Sequence, residues 1–413
     1  MANPSIRIQQ PVALKAVNRV GAVASRCGLR PFRLTAERIL GSAQRTSGFE
    51  VRDPMFVEGA ERLVHGLETH ARLSTFGRLA ARGTVQRSAD SRSRVERAFA
   101  EHPEIGDEQV RAPVFIVGMP RSGTTILHAL LHLDRDHRAP LSWECLLPHP
   151  APNPDDYGDN DRIETVRREF DQIFRLVPDF RRKHYMTADS PQECVGITAL
   201  NFASFQYLAM AYLPEYHDWL VKADQVRNLR WHLRFLQFLQ SGGVPSRRWL
   251  LKSPVHLMRL RALFEVYPDA RVIVTHRHPA DVVPSVGSLI SSMRSFYSDH
   301  EDTLRTGREQ LLIWADYFAR FLLDRRELDR EDQMVDVFFD RFVKDQMSVV
   351  DAIYDRFGWN LRPEDRDRME RFLQQERRGK HGAHVYSLDQ IGITPADIDH
   401  EYAHYLAFLE TLR

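Results

Sequence analysis

The chain has 413 residues, enough for two or three average domains or for one large α/β domain with insertions. Its 57 basic and 56 acidic residues give a net charge of +1, which predicts no nucleic acid or other polyanionic partner. With 43% hydrophobic residues, three cysteines and no uncharged apolar run of about 18 residues, the composition is typical of a globular protein and excludes a disulfide framework and a membrane-spanning helix.

The chain starts with a basic arm, residues 1–33, and its first acidic residue is Glu37. The spacing predicts a helix with Lys15, Arg19 and Arg26 on one face and valines and alanines mostly opposite. Such a helix suits contact with a membrane surface, contact with a partner subunit of a homo-oligomer, a transit segment, or packing on its own protein. Because charges interrupt the apolar run, no signal peptide is expected, and we predict a cytoplasmic protein.

Three further regions are predicted from changes in hydrophobic period. They are an N-terminal helical region (34–110), an α/β core (111–345) that contains a helical insertion (about 155–240), and C-terminal helices with a lid loop (346–413). The core alternates helical stretches with short, largely apolar runs that carry a strand signal, at 114–117, 248–251, 270–275 and 334–339. This alternation predicts a parallel sheet flanked by helices, with a helical layer before it.

The first predicted strand and the helix after it are joined by the loop GMPRSGTT, residues 118–125. Its glycines permit a tight turn, and successive amide N–H groups at a helix N-terminus form a cradle for an anion. The loop keeps both glycines and the final hydroxyl of the nucleotide-binding pattern G-x-x-x-x-G-K-[ST], but Thr124 stands where a lysine would reach the phosphates of ATP. A nucleoside triphosphate therefore fits poorly, and Arg121 offers a forked cation instead.

The string PVFIVGMPRSGTTILHALL, residues 113–131, resembles the 5′-phosphosulfate loop of sulfotransferases that use 3′-phosphoadenosine 5′-phosphosulfate (PAPS). The version with PRSGTT is similar to that of the bacterial sulfotransferases and the protein-tyrosine sulfotransferases. The resemblance implies a P-loop-like fold and transfer of a sulfuryl group from PAPS to an acceptor hydroxyl, with 3′,5′-adenosine bisphosphate (PAP) as product and no metal. It also implies that the donor is gripped by Arg121, Ser122, Gly123, Thr124 and Thr125, and we expect Arg121 with Lys252 to stabilise the departing phosphate.

A second phosphate contact is predicted at the end of the strand 270–275. Arg277 follows this strand, and Ser285 comes eight residues later on the next helix. A cation at a strand tip and a hydroxyl on the following helix can converge on one phosphate at the carboxyl edge of the sheet. At this position, directly after VIVTH, the pair Arg277 and Ser285 resembles the 3′-phosphate signature of the same family. The resemblance implies that the pair binds the 3′-phosphate, which ATP lacks.

Lys252 is one of six lysines in the chain and lies just past the strand 248–251, where open α/β sheets place ligand contacts. The resemblance implies that it lies near the oxygen that bridges sulfate and phosphate; otherwise it is a solvated lysine before a turn. His256, four residues later, is equally compatible with contact to the substrate and with capping of the next helix.

The acceptor side needs a base for the proton of the acceptor hydroxyl. The resemblance implies Glu144, in the sequence SWE after the first core helix, with a structural salt bridge as the alternative. Glu193 lies in the helical insertion among aromatic residues that fit either an apolar pocket for a small-molecule, lipid or glycan acceptor or plain core. These aromatic residues are Phe202, Phe205, Tyr207, Tyr212, Tyr216 and Trp219.

Near the C-terminus, the basic segment 377–387 contains two glycines and resembles the part of the family that folds over the 3′-phosphate. The resemblance implies donor contacts from Lys380, His381 and Tyr386 and a loop that excludes water when it closes. The alternative is an ordinary exposed loop.

Three other functions are compatible with parts of the sequence. A P-loop kinase or NTPase would use ATP with magnesium at 118–125, and a non-catalytic nucleotide-binding protein would keep the fold without turnover. The segment His400-Glu401-Tyr402-Ala403-His404 matches the zinc-protease pattern H-E-x-x-H. In a chain with 18 histidines this match is weak, and we expect no metal there.

Overall fold

A five-stranded parallel sheet forms the centre of the computed structural model, which describes residues 11–27, 32–176, 186–375 and 387–412. The strands are β1 (Val114–Gly118), β2 (His137–Arg138), β3 (Arg248–Lys252), β4 (Arg271–His276) and β5 (Met334–Phe338). Their order across the sheet is β2-β3-β1-β4-β5, so β1 lies between β3 and β4. All four predicted strands are confirmed; β2 was not predicted because two residues are too few to show a period.

The helices before β1 are α1 (Val12–Arg26), α2 (Ala36–Ser47), α3 (Pro54–Thr69) and α4 (Thr75–Glu101), followed by a 3₁₀ turn (Pro103–Asp107). Between β1 and β3 lie α5 (Thr124–Leu131), α6 (Ser142–Leu146), α7 (Asp161–Leu176), α8 (Cys194–Ala199), α9 (Gln206–Met210), α10 (Pro214–Lys222) and α11 (Gln225–Ser241). After β3 come α12 (Leu260–Val266), α13 (Pro279–Tyr297), α14 (Thr303–Leu328), α15 (Phe339–Lys344), α16 (Gln346–Phe357), α17 (Pro363–Gln375), α18 (Pro395–Glu401) and α19 (Ala403–Thr411). Further 3₁₀ turns span Pro254–Arg259, Glu331–Gln333 and Leu388–Ile391.

Helices cover the sheet on both faces because successive side chains of a strand point to opposite sides. Val114 and Ile116 of β1 pack with α5 and α16, whereas Phe115 and Val117 pack with α11 and α14. With both faces buried, the carboxyl ends of the strands and the loops that follow them are where a ligand can reach the sheet. The predicted P-loop-like α/β class is therefore confirmed.

The N-terminal helices and the helical insertion share one apolar core. Phe56 of α3 stacks on Phe202 at 5.1 Å between ring centroids, and Gly59 lies so close to Phe202 that a Cβ there would collide with its backbone. Tyr207 and Tyr216 are fully buried beside them, and the Tyr216 hydroxyl donates to the Phe202 carbonyl at 2.7 Å. These three insertion aromatics form core rather than an acceptor pocket. The domain boundaries themselves stay a prediction.

The predicted N-terminal helix, α1, packs on α4, but not through the face that carries its valines. Leu14, Asn18 and Gly21 point inward; Asn18 Oδ1 accepts the amide of Phe76 at 2.9 Å, and Gly21 leaves no room for a Cβ beside Thr75. Four valines remain exposed on this helix, namely Val12, Val17, Val20 and Val23. In the described part of the chain, no helix combines the length and the apolar character needed to cross a bilayer.

The H-E-x-x-H segment does not lie on one continuous helix. Helix α18 ends at Glu401, Tyr402 leaves the helical conformation with φ −108° and ψ 13°, and α19 begins at Ala403. Glu401 is ion-paired with Arg308 at 3.3 Å. The zinc-protease geometry, which needs both imidazoles on one helical face, is therefore absent from this segment.

Candidate functional site

The loop after β1 is held in a fixed shape against the end of β4. Gly118 has φ +141°, and a Cβ there would collide with Thr275. The Ser122 hydroxyl donates to the Met119 carbonyl at 2.6 Å and lies 2.6 Å from Thr275 Oγ1, so this side chain is used inside the loop. Thr124 and Thr125 are the first residues of α5, and the first amide groups of a helix have no partner within it. The loop therefore presents backbone donors at a helix N-terminus.

Two arginines and one serine meet beside this loop. Arg121, held at φ +69°, donates from Nε to Ser285 Oγ at 3.1 Å, and Arg277 donates from Nη1 to the Arg121 carbonyl at 2.9 Å. The Arg277 guanidinium lies 4.1 Å above the ring of Phe339, at the start of α15. The structure thus brings together three of the predicted donor residues, from the loops after β1 and β4 and from α13; their role as phosphate ligands stays a prediction.

The electrostatics of this cluster favour an anion. Burial lowers the pKa of Arg277, Asp281 at 3.8 Å opposes this shift, and the charge of Arg121 adds to it. Arg277 Nε is buried and makes no hydrogen bond. Two adjacent guanidinium groups, with Asp281 as the carboxylate 3.8 Å from Arg277 Nε and no hydrogen bond from that N–H, form a donor set suited to a phosphate dianion.

Lys252 closes β3 directly beside β1, where it pairs in register with Ile116. Its ammonium is almost fully buried and is ion-paired with Glu193, the N-cap residue of α8. The Glu193 side chain is 31% exposed, so one side of this pair faces solvent. A lysine and a carboxylate from distant parts of the chain therefore meet at the carboxyl edge of the sheet.

Glu144 lies in a closed environment. It is fully buried on α6, where Oε1 accepts from Arg138 Nη2 at 2.8 Å and Oε2 accepts from the Leu141 amide at 2.7 Å. Burial outweighs the Arg138 charge and raises the pKa of Glu144. One oxygen is therefore held by the buried ion pair with Arg138 and the other by the Leu141 amide, and the geometry counts against the predicted role as general base, which stays a prediction.

His256 lies in the core, with its ring 5.1 Å from the ring of Phe115 in an edge contact. Its Nδ1 accepts from Arg259 Nε at 3.2 Å, and burial lowers its pKa well below the ordinary value, so the imidazole is neutral. Its side chain does not cap a helix. Contact with the substrate stays an untested prediction.

Three predicted donor residues fall outside the described part of the chain, and two residues at the site were not predicted. Lys380, His381 and Tyr386 lie outside the described residues. Thr275, which orders the loop, and Phe339, which stacks on Arg277, were not among the predicted site residues. Both lie at the carboxyl ends of predicted strands, so strand position was the signal that could have pointed to them.

A backbone cradle at a helix N-terminus, next to paired arginines at the carboxyl edge of a parallel sheet, is an arrangement typical of α/β proteins that bind phosphate esters. A model of the sulfotransferase family matches residues 113–363, more than half of the chain. The chain belongs to the sulfotransferase family, which confirms the resemblance seen at residues 113–131.

Curated relatives include the omega-hydroxy-beta-dihydromenaquinone-9 sulfotransferase Stf3 of Mycobacterium bovis and of Mycobacterium tuberculosis. Each is 27% identical over 254 residues, which is 60% of this chain and 62% of the relative. The chain thus matches less than two thirds of the length of these relatives.

Solved structures resemble a larger share of the chain. The sulfotransferase STF1 of Mycobacterium tuberculosis is 28% identical with a TM-score of 0.80, and the alignment covers 91% of this chain and 100% of STF1. The sulfotransferase STF9 of Mycobacterium avium is 27% identical with a TM-score of 0.83, covering 91% of this chain and 96% of STF9.

Proposed function

We propose that this protein transfers a sulfuryl group from PAPS to the hydroxyl of a lipid-type acceptor. The observation that carries the proposal is the meeting of Arg121, Arg277 and Ser285 beside the loop after β1. Family membership supports the reaction class, and the name of the Stf3 relatives, which specifies a hydroxylated menaquinone derivative, supports a lipid hydroxyl as acceptor.

The donor-binding residues divide into two groups. The amide groups at the start of α5, with the hydroxyls of Thr124 and Thr125, would hold the 5′-phosphosulfate. Arg277 and Ser285 would hold the 3′-phosphate, with Arg277 Nε, which makes no hydrogen bond in the protein, as one donor. Because Thr124 replaces the lysine of nucleoside-triphosphate sites, a donor with a 3′-phosphate fits better than ATP.

Lys252 and Glu193 supply the charges that the transfer needs. In the reaction the bond between sulfur and the donor phosphate oxygen breaks while the acceptor oxygen bonds to sulfur and loses its proton. We propose that Glu193 takes this proton, because its carboxylate is partly exposed, unlike that of Glu144. The Lys252 ammonium would stabilise the negative charge that develops on the departing phosphate.

Donor identity is tested by calorimetric titration of the protein with PAP and, separately, with ATP and magnesium. We expect PAP to bind more tightly, and Arg277→Ala to weaken PAP binding by about 10–100-fold, the cost of losing charge-assisted hydrogen bonds. Arg271→Ala is the matched control, because Arg271 lies at the opposite end of the same strand.

Preference for ATP with magnesium would contradict the sulfotransferase proposal in favour of a kinase. PAP binding without turnover of PAPS with any lipid alcohol would favour a non-catalytic nucleotide-binding protein. Equal losses in the Arg271 and Arg277 variants would contradict the assigned role of Arg277.

We further propose that α1 places the protein on an anionic membrane surface, where a lipid acceptor would be found. The helix carries Lys15 and Arg19 beside its exposed valines, among which Val12 is 82% and Val20 71% exposed, and it has no acidic residue. Exposed apolar side chains together with basic ones are typical of helices that lie in the membrane interface.

Membrane contact is tested by flotation with phosphatidylglycerol-containing vesicles. Removing two charges with the double substitution Lys15→Gln and Arg19→Gln should weaken binding roughly 30-fold, since each basic residue near the surface contributes about 1 kcal/mol. The control, Arg168→Gln with Arg175→Gln, removes the same charge from exposed positions on α7. Equal binding by both variants, or self-association through α1 without vesicle binding, would contradict this proposal.

A further inference from the structure

Two histidines and a glutamate meet at the junction between the N-terminal helices and the helical insertion. His65 lies on α3, His70 caps the C-terminus of the same helix, and Glu215 lies in the first turn of α10. Their ligand atoms, one from each residue, all lie within 4.8 Å of one another. The group belongs to helices outside the sheet and plays no part in the proposed transfer reaction.

Two distances in this group, each to a different oxygen of Glu215, are close to the spacing between ligands of one metal ion. His65 Nε2 lies 3.4 Å from Glu215 Oε2, and His70 Nε2 lies 3.2 Å from Glu215 Oε1. Two ligands at about 2.0–2.1 Å from a tetrahedral zinc ion are about 3.3 Å apart. His70 Nε2 is buried and makes no hydrogen bond, so this nitrogen is available as a metal ligand. Two imidazole nitrogens and one carboxylate form a typical three-ligand zinc set.

Packing of the two helices keeps the ligands near one another. Gly66, next to His65, lies so close to Leu213 that a Cβ there would come 2.9 Å from the Leu213 Cδ2 atom. The backbones that carry the three ligands therefore come from closely packed elements rather than from a free loop. A site whose ligands are already positioned loses little conformational entropy when the ion binds.

We propose that His65, His70 and Glu215 bind one divalent transition-metal ion of the zinc class. The fourth position is open to water, because the His65 and Glu215 side chains are 60% and 59% exposed. The ion joins α3 to α10 and so stabilises the contact between the N-terminal layer and the insertion.

The test is equilibrium dialysis of the full chain, free of any affinity tag, against low-micromolar zinc, with metal measured by mass spectrometry. We expect one zinc per chain in the wild type and loss of that zinc in His70→Ala and in Glu215→Gln. His102→Ala is the matched control, because His102 is an exposed histidine 3.2 Å from a single carboxylate, that of Glu104. Zinc at about one hundred times its dissociation constant should raise the Tm by about 3 °C in the wild type and in the control.

Cobalt substitution gives a second readout, because tetrahedral Co²⁺ ligated by histidine and carboxylate absorbs visible light through d–d transitions much more strongly than octahedral hexaaqua Co²⁺. A melting curve without metal establishes that each variant is folded. Absence of stoichiometric zinc in the folded wild type, or zinc retained equally by His70→Ala and His102→Ala, would overturn the proposal. Neither result would bear on PAP binding, so this site and the proposed sulfuryl transfer succeed or fail separately.

Discussion

Lys252→Ala is expected to lower the rate of sulfuryl transfer by about two to three orders of magnitude. Its ammonium lies at the end of β3 next to β1 and is almost fully buried, so its charge acts where water screens it poorly. Removing one preorganised group that stabilises transition-state charge costs roughly 3–4 kcal/mol in other enzymes. The measurement is the single-turnover rate with radiolabelled PAPS and a lipid alcohol.

Two comparisons make this result specific to Lys252. Lys222→Ala removes an exposed lysine from the last turn of α10 and should leave the rate unchanged. The Tm of Lys252→Ala should remain near the wild-type value, because the Glu193 carboxylate left without its partner can be solvated. A wild-type rate in Lys252→Ala would remove this residue from the proposed mechanism.

Glu193→Gln is expected to lower kcat by about 10²–10⁴-fold, the usual contribution of a general base. It should also lower the Tm, because the buried Lys252 ammonium loses its partner. The substitution keeps the size of the side chain and removes the site that accepts the proton. The matched variant is Glu144→Gln, which alters the carboxylate that the family resemblance assigns to the same role. Both are assayed for kcat and for the free energy of unfolding in urea.

Glu144→Gln should act mainly on stability. Its partner Arg138 would remain buried with an uncompensated charge, and breaking such a buried pair costs about 3–5 kcal/mol. The residual folded protein should retain most of its turnover. If instead Glu144→Gln is stable and inactive while Glu193→Gln is active, Glu144 is the base and the assignment of Glu193 is wrong.

Much of the donor side could be predicted from the sequence because its signals are local. The run Val114–Val117 followed by Gly118 has the pattern of a buried parallel strand that ends in a turn. Arg277 and Ser285 are fixed relative to that turn by the rule that parallel strands present their carboxyl ends at one edge. The short strand β2 was not predicted because two residues are too few to show a hydrophobic period.

The acceptor side was less predictable because it depends on long-range pairing. The sequence around Glu144 is the same whether its carboxylate is free or ion-paired. Only the packing shows that Arg138 pairs with this carboxylate. No sequence pattern around Glu193 predicts its contact with Lys252, which lies 59 residues further along the chain. In the same way, the spacing on α1 predicted the helix but not which face stays exposed, since that depends on the groove offered by α4.

The sequence by itself determined the sheet-and-helix class, the glycine-containing loop before α5 and the family, since periodicity, turn chemistry and motifs within a few residues decide them. The tertiary structure alone decided which charged groups remain available for chemistry. Glu144 and Glu193 are both carboxylates near the predicted site, but one is enclosed with Arg138 and the other faces solvent beside Lys252. The physical reason is that desolvation and pairing depend on neighbours brought together by the whole fold, which no local spacing specifies.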